Sequence, residues 1–374
     1  MMRKVKFVEP AKVYQMIKEE LDNAYFEVMN KGDLIDRGQL KSFEENLAKL
    51  VGTKYAVGLN SGYDALHMSL RAAGIGAGDE VIVPAHTFVA SCSAIVNVGA
   101  TPVLVDVGKD FNIDVNKIEE AITPRTKAIM AVHLSGYMAD MATIMEIASR
   151  NHLVIVEDAC QSLGASMQNE KTGEKIMAGA WGLTGCWSFY PFKILGGYGD
   201  GGAITTNDPD VALFATRMRY NGEDRDSGEY HGHGFTCLLD NMQAAFLDVK
   251  LRYLPEWIVR RKAIAERYRQ ALSDLPDLLL PHYDDPRRDH IYQNYTLRSK
   301  QGSEFSDFMK ANGVEVLTQF RKPYYKHEAL KLEDRGFPET EALSREVCSL
   351  PMNVEIADEE IDYVISVVRK FYGK

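Results

Sequence analysis

Residues Ser188–Thr206 read SFYPFKILGGYGDGGAITT. A single lysine, Lys193, stands among aromatic residues just ahead of Gly196, Gly197, Gly199, Gly201 and Gly202. An apolar run precedes it, and AITT, with the texture of a strand, follows. A lysine enclosed in this way is partly desolvated, which lowers its pKa and frees the amine to attack a carbonyl. The glycines, lacking a Cβ, allow backbone to approach a bulky ligand closely. The same letters also fit a surface lysine beside a glycine-rich turn, and the rest of the chain has to decide between the two.

Working outward, short β-branched runs alternate with stretches of helical spacing. YAVGL is a strand followed by NSGYDALHMSLRAAG, a turn opening into a helix. EVIVPA and PVLVDV are strands with SCSAIVNVG as the crossover helix between them. NKIEEAI (helix), AIMAVHL (strand), MATIMEIASRN (helix) and LVIVED (strand) continue the alternation. Such a pattern predicts an α/β fold with a mostly parallel, doubly wound sheet and right-handed crossovers. Residues 11–31 and 40–50 predict helices ahead of it, the second closed by Gly52 as a C-cap. Near residue 240 the texture changes. DNMQAAFLDVKLRYLPEWIVRRKAIAERYRQALSDL reads as one long helix interrupted near Pro255, of the kind that joins a large domain to a small one. YQNYTLRS, a helix at SEFSDFMKANG and a closing helix at DEEIDYVISVVRKFYG suffice for a small α+β domain. The expected division is a large domain over 1–250, including the N-terminal helices, and a smaller one over 251–374.

Composition narrows the function. With 374 residues the chain has room for two such domains. A net charge of −10 and a pI near 5.5 give no electrostatic support to a nucleic-acid partner. An anionic substrate must therefore be met by a local basic or backbone-amide site. The N-terminus, MMRKVKFVEPAKVYQMIKEEL, passes from a few basic residues directly into an amphipathic helix, with no apolar signal core. No stretch is long and apolar enough to span a bilayer, so no membrane partner is expected. Cys92, Cys160, Cys186, Cys237 and Cys348 are odd in number and scattered, with no CxxC pair. They point away from a disulfide framework or a zinc site and toward a reducing cytoplasm. His231 and His233 lack carboxylate or cysteine neighbours at ligand spacing, and no metal is expected.

Ligands of open α/β sheets bind beyond the carboxyl ends of the strands, so what each strand delivers there matters. YAVGL delivers Ser61, Gly62, Tyr63 and Asp64 at the start of a helix, either as a phosphate seat or simply as an N-cap. LVIVED delivers Glu157 and Asp158 after four apolar residues; a carboxylate there needs a partner, either a protonated pyridine nitrogen or a structural cation. Gln161 has an amide suited to a ring hydroxyl. Phe88, after EVIVPA, can stack on a planar ring or belong to the core. Ser188 offers a hydroxyl to the same phosphate. Phosphate, ring nitrogen, ring face and a lysine for an aldehyde together describe pyridoxal 5'-phosphate.

The sequence resembles the DegT/DnrJ/EryC1/StrS family of nucleotide-sugar aminotransferases. The likeness runs through SFEENLAKLVG, NSGYDAL, VIVPAHTFVAS, VHLSGYMADM, EDACQSLGA, SFYPFKILGGYGDGGAITT, LDNMQAAFLDVKL and SLPMNVEIADEEIDYVI. It implies the aspartate-aminotransferase (type I) fold, with a seven-stranded, mostly parallel sheet in the large domain. It implies Lys193 as the Schiff-base lysine and proton shuttle, and Asp158 on the pyridine nitrogen. Gln161 would meet the ring hydroxyl, Phe88 the ring face, and Ser61, Gly62, Tyr63 and Ser188 the phosphate. The implied reaction takes an amino group from L-glutamate and delivers it to C3 or C4 of a keto sugar on a nucleoside diphosphate. The implied assembly is a cytoplasmic homodimer with shared active sites. Two departures stand out. Tyr63 occupies a usual threonine position. In GFTCLLDNMQAA, Thr236 and Leu238 stand where the family has asparagine and arginine; Thr236 is left as a shorter cross-subunit phosphate ligand, and leucine replaces no guanidinium. Relatives that act as sugar dehydratases carry histidine in place of Lys193. A pyridoxal-phosphate-binding regulatory protein is the remaining alternative. The basic residues of FRKPYYKHEAL (Arg321, Lys322, Lys326, His327) either meet a diphosphate or form a solvated turn.

Overall fold

The computed structural model describes residues 4–281 and 285–374; of the N-terminal stretch read above, Met1–Arg3 lie outside the described residues. Helices α1 (Pro10–Met16) and α2 (Lys18–Lys31) are one amphipathic run broken at Ile17. Helix α3 (Gly38–Val51) ends as expected: Gly52 takes a φ of 83°, and its N–H caps the Ala48 carbonyl. The α/β alternation follows as β1 (Tyr55–Leu59), α4 (Gly62–Ala72), β2 (Glu80–Pro84), α5 (Val89–Asn97) and β3 (Thr101–Val105). It continues as β4 (Thr126–Val132), α6 (Met141–Asn151) and β5 (Val154–Asp158). The expected helix NKIEEAI is absent; two 3₁₀ turns, Val115–Lys117 and Glu119–Ala121, take its place. Asp114 tightens the first by accepting the Asn116 N–H at 3.1 Å, and so short a segment gains too few bonds to sustain an α-helix.

A small hairpin, β6 (Ser166–Gln168) and β7 (Lys175–Met177), precedes the central pair β8 (Thr184–Ser188) and β9 (Gly202–Thr206). After α7 (Pro209–Met218), the interruption near Pro255 appears as a break between α8 (Asn241–Leu251) and α9 (Leu254–Leu272). Pro255 lies in the first turn of α9, where its missing N–H has no helical partner to lose. The chain closes through β10 (Leu278–Leu279), β11 (Arg288–Asp289), β12 (Tyr295–Ser299), α10 (Gly302–Ala311), α11 (Pro338–Glu346), β13 (Val347–Leu350) and α12 (Asp358–Phe371).

The main sheet has seven strands in the order β1-β9-β8-β5-β4-β2-β3. Its pairs from β8 to β3 are parallel, and β9 runs antiparallel to both its neighbours. Both faces are covered, as a parallel sheet requires. Ile82, Ile129, Ile155 and Trp187 belong to one core cluster, whereas Val81, Met130, Val156 and Cys186 belong to the other. The period of two therefore sends Glu157 and Asp158 to opposite faces. A separate core gathers α9, α10 and α12 around the sheet β10-β12-β13, with Val5 inside it and bridged to Val314. We propose that the chain divides at the last turn of α8, just ahead of the α8–α9 break, into residues 1–250 and 251–374, with Val5 reaching from the first into the core of the second.

Candidate active site

The carboxyl ends of β1, β2, β4, β5 and β8 open on a cavity of about 990 Å³. Ser61, Gly62, Tyr63, Phe88, Asp158, Gln161, Ser188 and Lys193, separated by more than a hundred positions in the chain, all line it. Thr236 does not. It is exposed, and its hydroxyl donates to Asn221 Oδ1 at 3.1 Å within its own chain.

At the start of α4, Ser61 is the N-cap: its Oγ accepts the Asp64 N–H at 3.1 Å and donates to the Asp64 carboxylate at 2.6 Å. That hydroxyl is thus committed to Asp64. The N–H groups of Gly62 and Tyr63 have no acceptor among the hydrogen bonds of the described residues, and both residues line the cavity. They present two free amides at the positive end of the helix dipole, which is an anion seat. Gly62 is there of necessity: a Cβ on it would meet Ser188 Cβ at 2.7 Å and Cys160 Sγ at 2.8 Å. Tyr63 turns its hydroxyl toward α5, accepting from Asn97 Nδ2 at 2.6 Å.

Two of the glycines after Lys193, Gly196 and Gly202, bring chain against chain, whereas Gly201 lines the cavity as the sequence expectation has it. A Cβ on Gly202 would lie 2.3 Å from the Ser61 carbonyl carbon, and one on Gly196 would lie 2.5 Å from the Pro191 carbonyl oxygen. Side chains at these points would push β9 off the loop before α4 and open the turn that carries the lysine.

The two acidic residues ending β5 divide the labour. Glu157, fully buried, accepts from the backbone N–H groups of Gly179 (2.8 Å), Trp181 (2.7 Å) and Gly182 (2.8 Å) and from His133 Nε2 (3.0 Å). His133 Nδ1 accepts the Ala139 N–H, which leaves Nε2 as the donor. This carboxylate is saturated and structural. Asp158 faces the cavity, where one oxygen accepts from Ser91 Oγ at 2.8 Å and the other from the Cys160 N–H at 3.3 Å. Ser91 is itself paired with Thr87 Oγ1 at 2.8 Å, so a hydroxyl relay from α5 orients the carboxylate. HTFVAS places those two hydroxyls one helical turn apart, a signal the sequence reading did not use.

Lys193 lines the cavity and is crowded by protein. Burial holds its pKa below the ordinary 10.5, opposed by the nearby Cys160 and Asp158. Its turn is held from several sides. Gln293 bonds the backbone on both sides of it, Gln243 Oε1 accepts the Tyr198 N–H at 2.8 Å, and Lys250 Nζ donates to the Gly196 carbonyl at 2.7 Å. No local pattern announces these three residues, because what they touch is backbone far away in sequence. Gln161 accepts the Ser135 N–H at Oε1 (2.8 Å), leaving its amide nitrogen to donate into the cavity. Phe88 is 57% exposed, with its ring free to cover a ligand and its centroid 6.4 Å from that of Phe320. The basic stretch after Phe320 stays out of the cavity wall. Arg321 bonds Ser303 and Ser306 on α10, and Lys326 pairs with Glu341 at 2.7 Å. Among the described residues no cluster of three or more metal-ligating side chains occurs.

Two free helix amides, a cavity-facing carboxylate, an amide donor, an open aromatic face and a desolvated lysine form a donor set that fits pyridoxal phosphate. Comparison with known proteins agrees. Residues 15–369 match the model of the DegT/DnrJ/EryC1/StrS aminotransferase family. The chain belongs to this family. It is 38% identical over 372 residues to dTDP-3-amino-3,4,6-trideoxy-alpha-D-glucose transaminase of Streptomyces venezuelae, covering 98% of this chain and 96% of that one. It is 36% identical to a protein of Geobacillus stearothermophilus named as a pleiotropic regulatory protein, covering 98% of both. Among solved structures, S. venezuelae DesV in complex with a ketimine intermediate superposes with a TM-score of 0.94 at 37% identity, over 99% of both chains. The seven-stranded sheet and the smaller sheets beside it are thus the architecture of this aminotransferase family.

Proposed function

We propose that the protein is a pyridoxal-phosphate-dependent aminotransferase. It moves an amino group from an amino acid, L-glutamate, to C3 or C4 of a keto sugar carried on a nucleoside diphosphate. The observation that carries this reading is Lys193 and Asp158 facing one cavity beside the free amides of Gly62 and Tyr63. When bound, pyridoxal phosphate supplies an electron sink for the carbon that loses or gains nitrogen. The chain supplies everything else. Gly62 and Tyr63 N–H and the Ser188 hydroxyl hold the phosphate. Asp158, oriented by Ser91, keeps the proton on the ring nitrogen. Gln161 donates to the ring hydroxyl, and Phe88 covers the ring face. Lys193 Nζ, poised by desolvation, takes the proton from the substrate carbon and returns it to the cofactor carbon. We assign the assembly as a homodimer in which Thr236, outside its own cavity, serves the phosphate of the neighbouring site. A reducing cytoplasm suits the five free cysteines, and no helix among the described residues is long and apolar enough to cross a membrane.

A regulatory protein that binds the cofactor without turnover is the second reading. It is favoured by the name of the Geobacillus relative and by Leu238 in place of a cation. One experiment separates the two. The absorbance of the purified protein with pyridoxal phosphate is recorded before and after L-glutamate, then again after a nucleotide-linked keto sugar. The transaminase reading expects the yellow band to fade with the amino acid and return with the sugar, with an amino sugar found by mass spectrometry. A band indifferent to every amino acid supports the regulatory reading instead.

A further inference from the structure

One side chain from the far end of the fold grips the backbone on both sides of Lys193. Gln293 Oε1 accepts the Ile194 N–H at 2.7 Å, and Gln293 Nε2 donates to the Phe192 carbonyl at 3.1 Å. These two backbone groups have no other partner among the hydrogen bonds of the described residues. Gln293 is only 6% exposed, and its own placement is rigid. Arg261 donates to its carbonyl at 3.1 Å and to the Tyr292 and Met352 carbonyls at 3.0 and 2.8 Å. Gly136 lets the chain pack directly on it, since a Cβ there would lie 2.7 Å from the Gln293 nitrogen. An amide is the one neutral side chain that offers an acceptor and a donor side by side, matched to an N–H and a C=O two residues apart. A hydrophobe of equal size would leave both backbone groups buried and unpaired.

We propose that Gln293 is a positioning residue for the proposed reaction: its amide fixes the peptide planes flanking Lys193 and so the direction in which that side chain enters the cavity. The inference rests on the reading of Lys193 as the amine that reacts with pyridoxal phosphate. Small displacements of a reacting group cost large factors in rate. A loosened turn also admits water around the ammonium, so the burial that holds the Lys193 pKa down is relieved and the value returns toward 10.5.

The test uses the cofactor-free full chain and three variants, Gln293→Leu, Gln293→Met and Gln293→Glu. Each is mixed with pyridoxal phosphate across a pH series and quenched with borohydride. Lys193 Nζ bonds the aldehyde carbon with loss of water, and hydride reduces the resulting C=N to a stable secondary amine. Peptide mass spectrometry then reads modification at Lys193. In the Leu and Met variants, modification at neutral pH is expected to slow about tenfold, with the pH midpoint moved up by about one unit. In the Glu variant, which sets a second acceptor against the Phe192 carbonyl, the shift is at least as large. With turnover substrates, kcat falls and the sugar KM stays near wild type. Loss of folded protein alone lowers the yield without moving the midpoint. Wild-type rate and midpoint in any folded variant of the three overturn the inference. Failure of the wild-type chain to be modified at Lys193 overturns the function instead, so the two failures are distinct.

Discussion

The adjacent acidic residues on β5 allow stability and chemistry to be separated one position apart. In Glu157→Gln, one carboxylate oxygen becomes an NH₂ group. Each oxygen now accepts two hydrogen bonds: Oε1 from Trp181 and Gly182, Oε2 from Gly179 and His133. Either orientation of the new amide sets a donor against two donors. His133 cannot adapt by switching tautomer, because its Nδ1 already accepts from Ala139. Two buried bonds to a carboxylate are therefore lost, at about 1.5–3 kcal/mol each, or about 3–6 kcal/mol together. At about 2.1 cal/mol/K per residue, a 374-residue chain has an unfolding entropy of about 0.8 kcal/mol/K. The melting temperature should thus fall by about 4–8 °C. In Asp158→Asn the cavity-facing partners are a hydroxyl, which can donate or accept, and one N–H, so the melt should move by less than about 2 °C. Its turnover should fall by more than about a hundredfold, because the ring nitrogen loses the anion that keeps it protonated. The assay is a thermal melt of the cofactor-free protein, which avoids stabilisation by ligand, paired with single-turnover kinetics of the loaded protein. Glu157→Gln melting within about 1 °C of wild type would refute the structural assignment. Asp158→Asn retaining near-normal turnover would show that its carboxylate only shapes the fold.

Lys193→Ala should abolish both the yellow absorbance with pyridoxal phosphate and turnover; activity retained in that variant would end the aminotransferase reading. Lys250 is 5% exposed, and burial pulls its pKa from 10.5 to about 8, so the unfolded chain binds that proton more tightly than the folded one. The resulting cost, up to about 3 kcal/mol, is complete below about pH 8 and is relieved as pH rises toward 10.5. Lys250→Met removes this titration together with the bond to the Gly196 carbonyl, so by denaturant titration the stability difference from wild type should move in favour of the wild type as pH rises from about 8 toward about 10; a gap that does not change with pH refutes the assignment. Thr236→Ala should weaken pyridoxal phosphate binding by about tenfold in fluorescence titration, the worth of one hydrogen bond to a charged group. Unchanged affinity removes Thr236 from the phosphate site.

Much of the fold was legible because its signals are local. β-branched runs of strand length, separated by segments of helical period, predict a parallel sheet without any knowledge of contacts, and Gly52 and Pro255 mark a helix end and a helix start through backbone chemistry alone. NKIEEAI misled because helical spacing over seven residues does not supply the bonds a helix needs, and the Asp114 turn outcompetes it. The hairpin β6–β7 and its partner β11 went unseen because strands of two or three residues are defined by whom they pair with, not by their letters.

The same division runs through the active site. Lys193, Asp158, Gln161 and Phe88 could be singled out from the sequence because reactive side chains at strand ends have a small set of chemical uses, and because these four stand in motifs. Strand position alone left Glu157 and Asp158 equal, and apart from the family resemblance it took the sheet to separate them: alternation sends neighbours to opposite faces, but only the packed layers show which face holds the ligand. That Gly196 and Gly202 serve chain-on-chain packing, and that Gln293, Gln243 and Lys250 hold the lysine's turn, was likewise decided by tertiary structure. Backbone N–H and C=O groups are the same at every residue, so no letter in the sequence can name the partner that a distant side chain will find.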